Sequence, residues 1–365
     1  MPKYHAINER IKRKYFTYLQ EARRYSVQTV DITAKALARF EEYNNYRDFK
    51  TFNPQQAVAF KKHLAQQKAL LSGEKLSKAT LHGTLANLKH FFQWLSGQAG
   101  YKTHFNYLDA DYFNLSENEV RVATARRPQK APTMEQVRHV ILTMPCQTDI
   151  EQRNRALIAF TLLTGARDSA IASMQLKHVD LQHNSVFQDA RTVRTKFSKT
   201  FTTYFLPVGE DVLAIFTAWV KYLREVKLCS EDDALFPATR IACNTENRFA
   251  AAGLDDKGWS SAAGIRKIFK EAFEGCDLPY FNPHSLRHTL VKLGQTMCNT
   301  PEAFKAWSQN LGHEKVLTTF YNYGEVATDR QQAIILGLKQ DNSKHDASEL
   351  EQATELIRIM KAREL

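Results

Sequence analysis

Through most of this chain the apolar residues return every three or four positions, the spacing of a helix face, and only one short stretch alternates. In LSKATLHGTLANLKHFFQWLSG, residues 76 to 97, Leu81, Leu85, Leu88, Phe91, Phe92 and Leu95 form one stripe, while Lys78, His82 and Lys89 fall elsewhere on the helix. The same pattern predicts helices over 8 to 24, 27 to 43, 54 to 69 and 78 to 96. From 98 to 132 the periodicity lapses, and ATARRPQKAPT reads as a basic linker. A new helix is expected at Thr133, where Thr-Met-Glu-Gln has capping-box spacing, and another over about 152 to 163. Alternation between Val179 and Pro207, including VRTKFSKTFTTYFLP, predicts a small antiparallel sheet with a hairpin. Helices resume over 210 to 226, 259 to 274, 284 to 297 and 301 to 311. The predicted fold class is therefore mainly α with a small antiparallel sheet.

The 365 residues suggest about two domains. The longest strongly apolar stretch, Ala156 to Ala166, is far short of the roughly 20 residues a membrane span needs, and the amino terminus lacks an apolar signal core. A cytoplasmic protein with no membrane partner is expected. The five cysteines form no CxxC pair, which fits a reducing compartment and no zinc site.

Charge divides the chain unevenly. Residues 1 to 130 hold 22 Lys and Arg against 11 Asp and Glu, and the remainder holds 28 against 28, so the whole surplus of +11 lies in the first third. A basic helical domain beside a neutral one points to a polyanion, and nucleic acid is the natural partner.

Three separated clusters carry the chemistry. Arg167 follows a glycine-ended helix in LLTGARDSAIASMQL. In Asn-Pro-His-Ser-Leu-Arg-His, His284 and Arg287 are three apart and share a helix face, with His288 expected to point elsewhere. The third runs from Leu311-Gly312-His313 to Thr318, Thr319, Tyr321 and Tyr323. Two arginines, two histidines, a hairpin lysine and a tyrosine suit phosphoryl transfer to tyrosine, because paired guanidinium donors can neutralise charge on a pentacoordinate phosphorus without a metal.

With TGARDSA, PHSLRHT and LGHEKVLTTFYNYGEV in this order, the chain resembles the tyrosine recombinase (phage integrase) family over about residues 150 to 330. The resemblance implies a basic helical DNA-binding domain of the core-binding type with its linker over 1–130, an α+β catalytic domain over 131–340, and a hinge and helix over 341–365. It implies that Arg167 and Arg287 clamp the scissile phosphate, that His284 and His313 hydrogen-bond its oxygens, and that a hairpin lysine protonates the leaving 5′ oxygen. Lys196 in Arg194-Thr195-Lys196 matches that lysine, with Lys199 the competitor. The family's tyrosine offset from the His313 position falls here on Asn322, which cannot form the link. The nucleophile is then Tyr323, whose following Gly-Glu-Val resembles the family's ending, or else Tyr321. Ala170 stands where the family often has a glutamate, so the bracing of Arg167 must come from elsewhere.

The implied function is site-specific recombination through a 3′-phosphotyrosine, with no cofactor, metal or ATP, by a homotetramer on double-stranded DNA attachment sites of a mobile element. Relaxation of the type IB topoisomerase kind and a catalytically silent DNA-binding accessory are the alternatives. The closing ASELEQATELIRIMKAREL places Leu350, Ala353, Ile357 and Met360 on one face behind a polar hinge, and is expected to dock either on a neighbouring protomer or on its own domain.

Overall fold

A computed structural model describes residues 4–69, 73–125, 130–243 and 248–312. The chain divides into two compact units, Met1–Arg126 and Arg127–Leu365. His313, Tyr321, Tyr323 and the closing amphipathic segment lie outside the described residues.

The first unit comprises α1 (Ala6–Thr17, extended by a π-helical turn over Tyr18–Ala22), α2 (Val27–Tyr43), α3 (Pro54–Gln66), α4 (Lys78–Ser96) and α5 (Glu117–Thr124). Each of α2, α3 and α4 starts where a side-chain oxygen accepts an otherwise orphaned backbone N–H: Ser26 from Thr29, Asn53 from Gln56 and Ser77 from Thr80. The apolar stripe of α4 is buried as its spacing predicts. Its Phe91 and Phe92 enter an aromatic core with Phe40, Phe49, Phe52, Phe60 and Phe113, in which Phe52 stacks on Phe92 at 3.9 Å between ring centroids. Sequence periodicity misses α5. It buries no residue, so it has no apolar stripe, but it does carry a capping box between Ser116 and Glu119.

The second unit is built on α7 (Asp149–Thr164), which follows α6 (Met134–Thr143) and buries every residue from Ala156 to Thr164. Thr133 and Gln136 form the expected capping box at the start of α6. After α7 come the one-turn α8 (Asp168–Ile171), then β1 (Val179–Asp180), β2 (Ser185–Gln188) and β3 (Phe201–Tyr204), an antiparallel sheet in the order β1-β2-β3. The stretch from Val193 is thus only in part a strand: residues 189 to 200 form a loop with a 3-10 turn over Lys196–Ser198. α9 (Glu210–Lys221) packs back on α7, with Phe216 4.9 Å from Phe160. A second hairpin, β4 (Thr239–Cys243) with β5 (Phe249–Leu254), was not expected; it is exposed on both faces, so its Ala-rich strand shows no inside-outside alternation. α10 (Ala263–Glu274), α11 (Pro283–Met297) and α12 (Pro301–Asn310) complete the described chain. No helix among the described residues is long and apolar enough to cross a membrane.

Candidate active site

Helix α7 ends because Gly165 adopts a left-handed conformation, φ +60°, which turns the chain sharply into Ala166 and Arg167. A Cβ at Gly165 would lie 2.6 Å from Leu311 Cδ2 and 3.1 Å from Leu290 Cδ1, so the turn is also pressed against the middle of α11 and the end of α12. Gly165→Ala should therefore both strain the backbone and displace Arg167. We expect destabilisation of at least about 1–3 kcal/mol together with loss of DNA cleavage, read by thermal melting and by adduct formation.

Arg287 ties these elements together. Its side chain is almost fully buried, at 4% exposure, and its guanidinium donates from Nη1 to the Gly165 carbonyl and from Nη2 to the Leu311 carbonyl at 2.6 Å. One residue thus joins the ends of all three motif-bearing segments. The end of α12 is held from its other side too: Asn310 accepts from the Tyr204 amide (2.7 Å) and donates to the Tyr204 carbonyl (2.8 Å), pairing with β3 as a strand residue would. Gly312, φ +69°, closes this turn against Phe201, whose Cζ would lie 2.7 Å from a Cβ there. It directly precedes His313 in the sequence.

His284 occupies the first turn of α11, after Pro283 and the Asn282 cap, whose side chain accepts from the Ser285 amide. Its side chain is exposed, and its pKa falls from 6.5 to about 4 through desolvation first, then the charges of Arg287, His288 and Arg167. The ring is neutral at pH 7. His288 does not point away as expected: being four residues on, it shares the face, and its ring meets that of His284 edge-on at 5.4 Å. Because the native state keeps His284 unprotonated where the unfolded chain takes up a proton, stability is full above about pH 6.5 and declines as pH falls toward about 4. His284→Gln should flatten that part of the denaturation-midpoint profile against pH.

Arg167 is half-buried, and burial lowers its pKa; burial and then the charge of Arg167 do the same to Arg287. A guanidinium nevertheless stays protonated in a protein. The nearest acid, Asp168, is engaged by Arg266 Nε at 2.7 Å. Ala170, where the family often has a glutamate, is buried in the core. Two partly desolvated cations and a neutral imidazole lie close enough at a helix N-terminus to act on one another's charge, an arrangement that favours an anion.

Lys196 sits in the β2–β3 loop. That loop is tethered beside Arg167: the Arg194 amide donates to Ser173 Oγ (2.8 Å), and Ser169 Oγ donates to the Arg194 carbonyl at 3.4 Å. The Arg194 side chain forks onto the carbonyls of Ser260 and Trp259 at 2.7 and 2.8 Å. Lys196 itself is exposed, its ammonium 4.8 Å from the centre of the Phe197 ring, in a turn where Phe197 and Ser198 both hold positive φ. Lys199 lies in the same turn and its carbonyl accepts from Thr195 Oγ1. Arg167, His284 and Arg287 therefore converge, Lys196 is held on a loop fixed beside them, and His313, Tyr321 and Tyr323 are outside the described residues. Arg266 and Asn310, and the structural ties of Asp168 and Arg194, are not legible in the sequence, because each acts through a partner remote in the chain.

Comparison with known proteins bears on the same segments. The phage integrase family profile matches residues 133–330, and that of the phage integrase N-terminal SAM-like domain matches residues 13–98. The chain is 24% identical over 318 residues to a protein named tyrosine recombinase XerC from Lactobacillus delbrueckii subsp. bulgaricus, covering 85% of this chain and 92% of that one. Its fold is similar to that of the Tn1549 transposon integrase in complex with a circular intermediate DNA (15% identity, 90% and 99% coverage, TM-score 0.58). It is also similar to that of a lambda integrase dimer bound to a COC′ core site (12% identity, 87% and 78% coverage, TM-score 0.58). Since the catalytic profile alone spans more than half of the chain and takes in every element that gathers the two arginines and His284, this chain belongs to the phage integrase family and is a site-specific tyrosine recombinase.

Proposed function

We propose that the chain breaks and rejoins duplex DNA at attachment sites of a mobile element, working as a homotetramer, with Arg167, Lys196, His284, Arg287, His313 and Tyr323 as its catalytic residues. The observation that carries this reading is the convergence of Arg167 and Arg287 on a neutral His284, a cluster whose charge calls for a phosphate. Arg287 holds a fixed direction because two of its five N–H groups are anchored on carbonyls; such donors stabilise developing charge without reorganising. Tyr323 Oη releases its proton to solvent and attacks the phosphorus, the P–O5′ bond breaks, and Lys196 gives its own proton to the departing 5′ oxygen. The 3′-phosphotyrosyl bond conserves the energy of the phosphodiester. Attack by a 5′ hydroxyl of a partner strand then reverses the step, returning the proton to Lys196.

A supercoiled plasmid carrying two copies of a site recovered by covalent capture from randomised duplexes tests the function. In EDTA, the wild-type chain is expected to join the two sites and release the products of exchange. Relaxed plasmid without exchanged sites would replace recombination by topoisomerase activity, and no covalent complex at all would leave a silent DNA-binding protein.

The surplus charge of the first unit belongs to the same reading. That unit has its own aromatic core, and residues 1 to 130 hold all of the +11, so residues 1 to 130 alone should bind duplex DNA. Each neutralised phosphate releases counterion, and affinity should fall by orders of magnitude between about 50 and 200 mM salt in an anisotropy titration. A flat salt response would mark the basic surplus as solubilising surface.

A further inference from the structure

His178 is a buried histidine that the chemistry above does not use. It ends a 3-10 turn, Leu176–His178, which is fastened to the body of the second unit: Leu176 is fully buried, its amide donates to the Asp233 carbonyl (3.0 Å), and the Lys177 amide donates to the Glu231 carbonyl (2.8 Å). The ring is only 4% exposed and is bonded at both nitrogens. Nδ1 accepts from the Gln175 amide at 2.9 Å, so the proton of the neutral ring sits on Nε2, which donates to Thr192 Oγ1, also at 2.9 Å. No other side chain offers an acceptor and a donor in those two directions on one rigid ring.

Neutrality of the ring fits its surroundings. Burial lowers its pKa first, and Lys177 adds to this, while Asp189 and Asp232 work against it. Both acids are engaged elsewhere, Asp189 with Arg191 and Asp232 with Lys177.

Thr192 opens the segment that leads to the proposed proton donor. After it, Val193 is buried at 2% exposure, Arg194 is clamped on the Trp259 and Ser260 carbonyls, and Thr195 precedes Lys196. The far side of the loop closes through Thr200 Oγ1, which accepts from the Ala190 amide (3.1 Å). The exposed tip therefore hangs from a base held through Arg194 and Thr200, and His178 adds an anchor at Thr192 from the 3-10 turn that precedes β1. We infer that His178 is a positioning residue for general acid catalysis, setting the reach of Lys196 through its hydrogen bond to Thr192. This inference rests on the reading of Lys196 as the proton donor.

The test compares two DNA substrates in single-turnover cleavage by the full chain: a captured site, and the same site with sulfur in place of the scissile O5′. A thiolate leaves without a proton, so a defect confined to proton delivery disappears on the sulfur substrate. His178→Asn retains an acceptor for the Gln175 amide but cannot reach Thr192, and Thr192→Val removes the hydroxyl from the other side. Each is expected to slow cleavage of ordinary DNA roughly tenfold or more, and the double variant no further than either single one. The sulfur substrate should restore all three to the wild-type rate. Full activity of the single variants on ordinary DNA, equal losses on both substrates, or additive losses in the double variant would each overturn the inference. Lys196→Ala, run alongside, separates the two levels: if the sulfur substrate fails to rescue it, the reading of Lys196 falls and takes the role of His178 with it. If it is rescued and His178→Asn is not, only the role of His178 falls.

Discussion

Arg287→Ala is expected to lose both catalysis and stability, whereas Arg167→Ala loses catalysis alone. The buried Arg287 guanidinium serves the Gly165 and Leu311 carbonyls, and removing it leaves both acceptors without their donor and opens a void between α7, α11 and α12. Hydrogen bonds to charged donors contribute about 1.5–3 kcal/mol each, so a loss of about 3–5 kcal/mol in the unfolding free energy of the second unit is expected. Arg287→Lys should recover only part of this, since a single ammonium cannot fork across two carbonyls. Arg167 is only half-buried and makes no side-chain hydrogen bond among the described residues. Its alanine variant should melt near the wild-type temperature and cleave about 10²–10³-fold more slowly, as for the loss of one donor to a charged transition state. Equal stability of the two alanine variants would show that the carbonyl ties of Arg287 contribute little.

Tyr323→Phe is expected to abolish the covalent protein–DNA complex while leaving DNA affinity within about twofold, because the change deletes one hydroxyl and no charge. Tyr321→Phe should keep the complex. The two positions are two residues apart, which on a helix turns their side chains about 200° from each other, so only one can address a given phosphorus. Denaturing gels of protein linked to labelled DNA read both variants directly. A dead Tyr321→Phe beside an active Tyr323→Phe would shift the register by two residues.

Much of the architecture is legible from periodicity because most helices of this chain bury one stripe. The stripe of α4 and the capping box of α6 appear where the spacing puts them. Elements without a stripe escape: α5 buries nothing, and the β4–β5 hairpin is exposed on both faces, so neither leaves an apolar rhythm. The early start of α7 at Asp149 was marked by a capping box between Thr148 and Glu151, a signal weaker than the long apolar run behind it. In the site, Arg167, His284 and Arg287 are readable because each sits in a short motif. Their supports are not, since Arg266 reaches Asp168 across 98 residues and Asn310 reaches Tyr204 across 106. The misread direction of His288 has a simpler cause: residues four apart lie on one face of a helix as surely as residues three apart.

Arg287 also shows why a family motif and a structural tie can be the same residue. Its carbonyl bonds set the distance between the Gly165 turn, which presents Arg167, and the Leu311 turn, beyond which His313 follows. Catalytic geometry and domain stability are coupled through this one side chain, so variants of the surrounding turns are expected to change both together.

If these residues surround a scissile phosphate, that phosphate becomes linked to Tyr323. Nicked duplexes with randomised cores, incubated with the full chain in EDTA, trap the intermediate because the cleaved end diffuses away. Digestion of the trapped complex and peptide mass analysis then identify the modified residue. A nucleotide attached to Tyr323 through a 3′ phosphate is expected; attachment to any other residue, or no adduct under conditions in which the DNA is bound, would overturn the assignment.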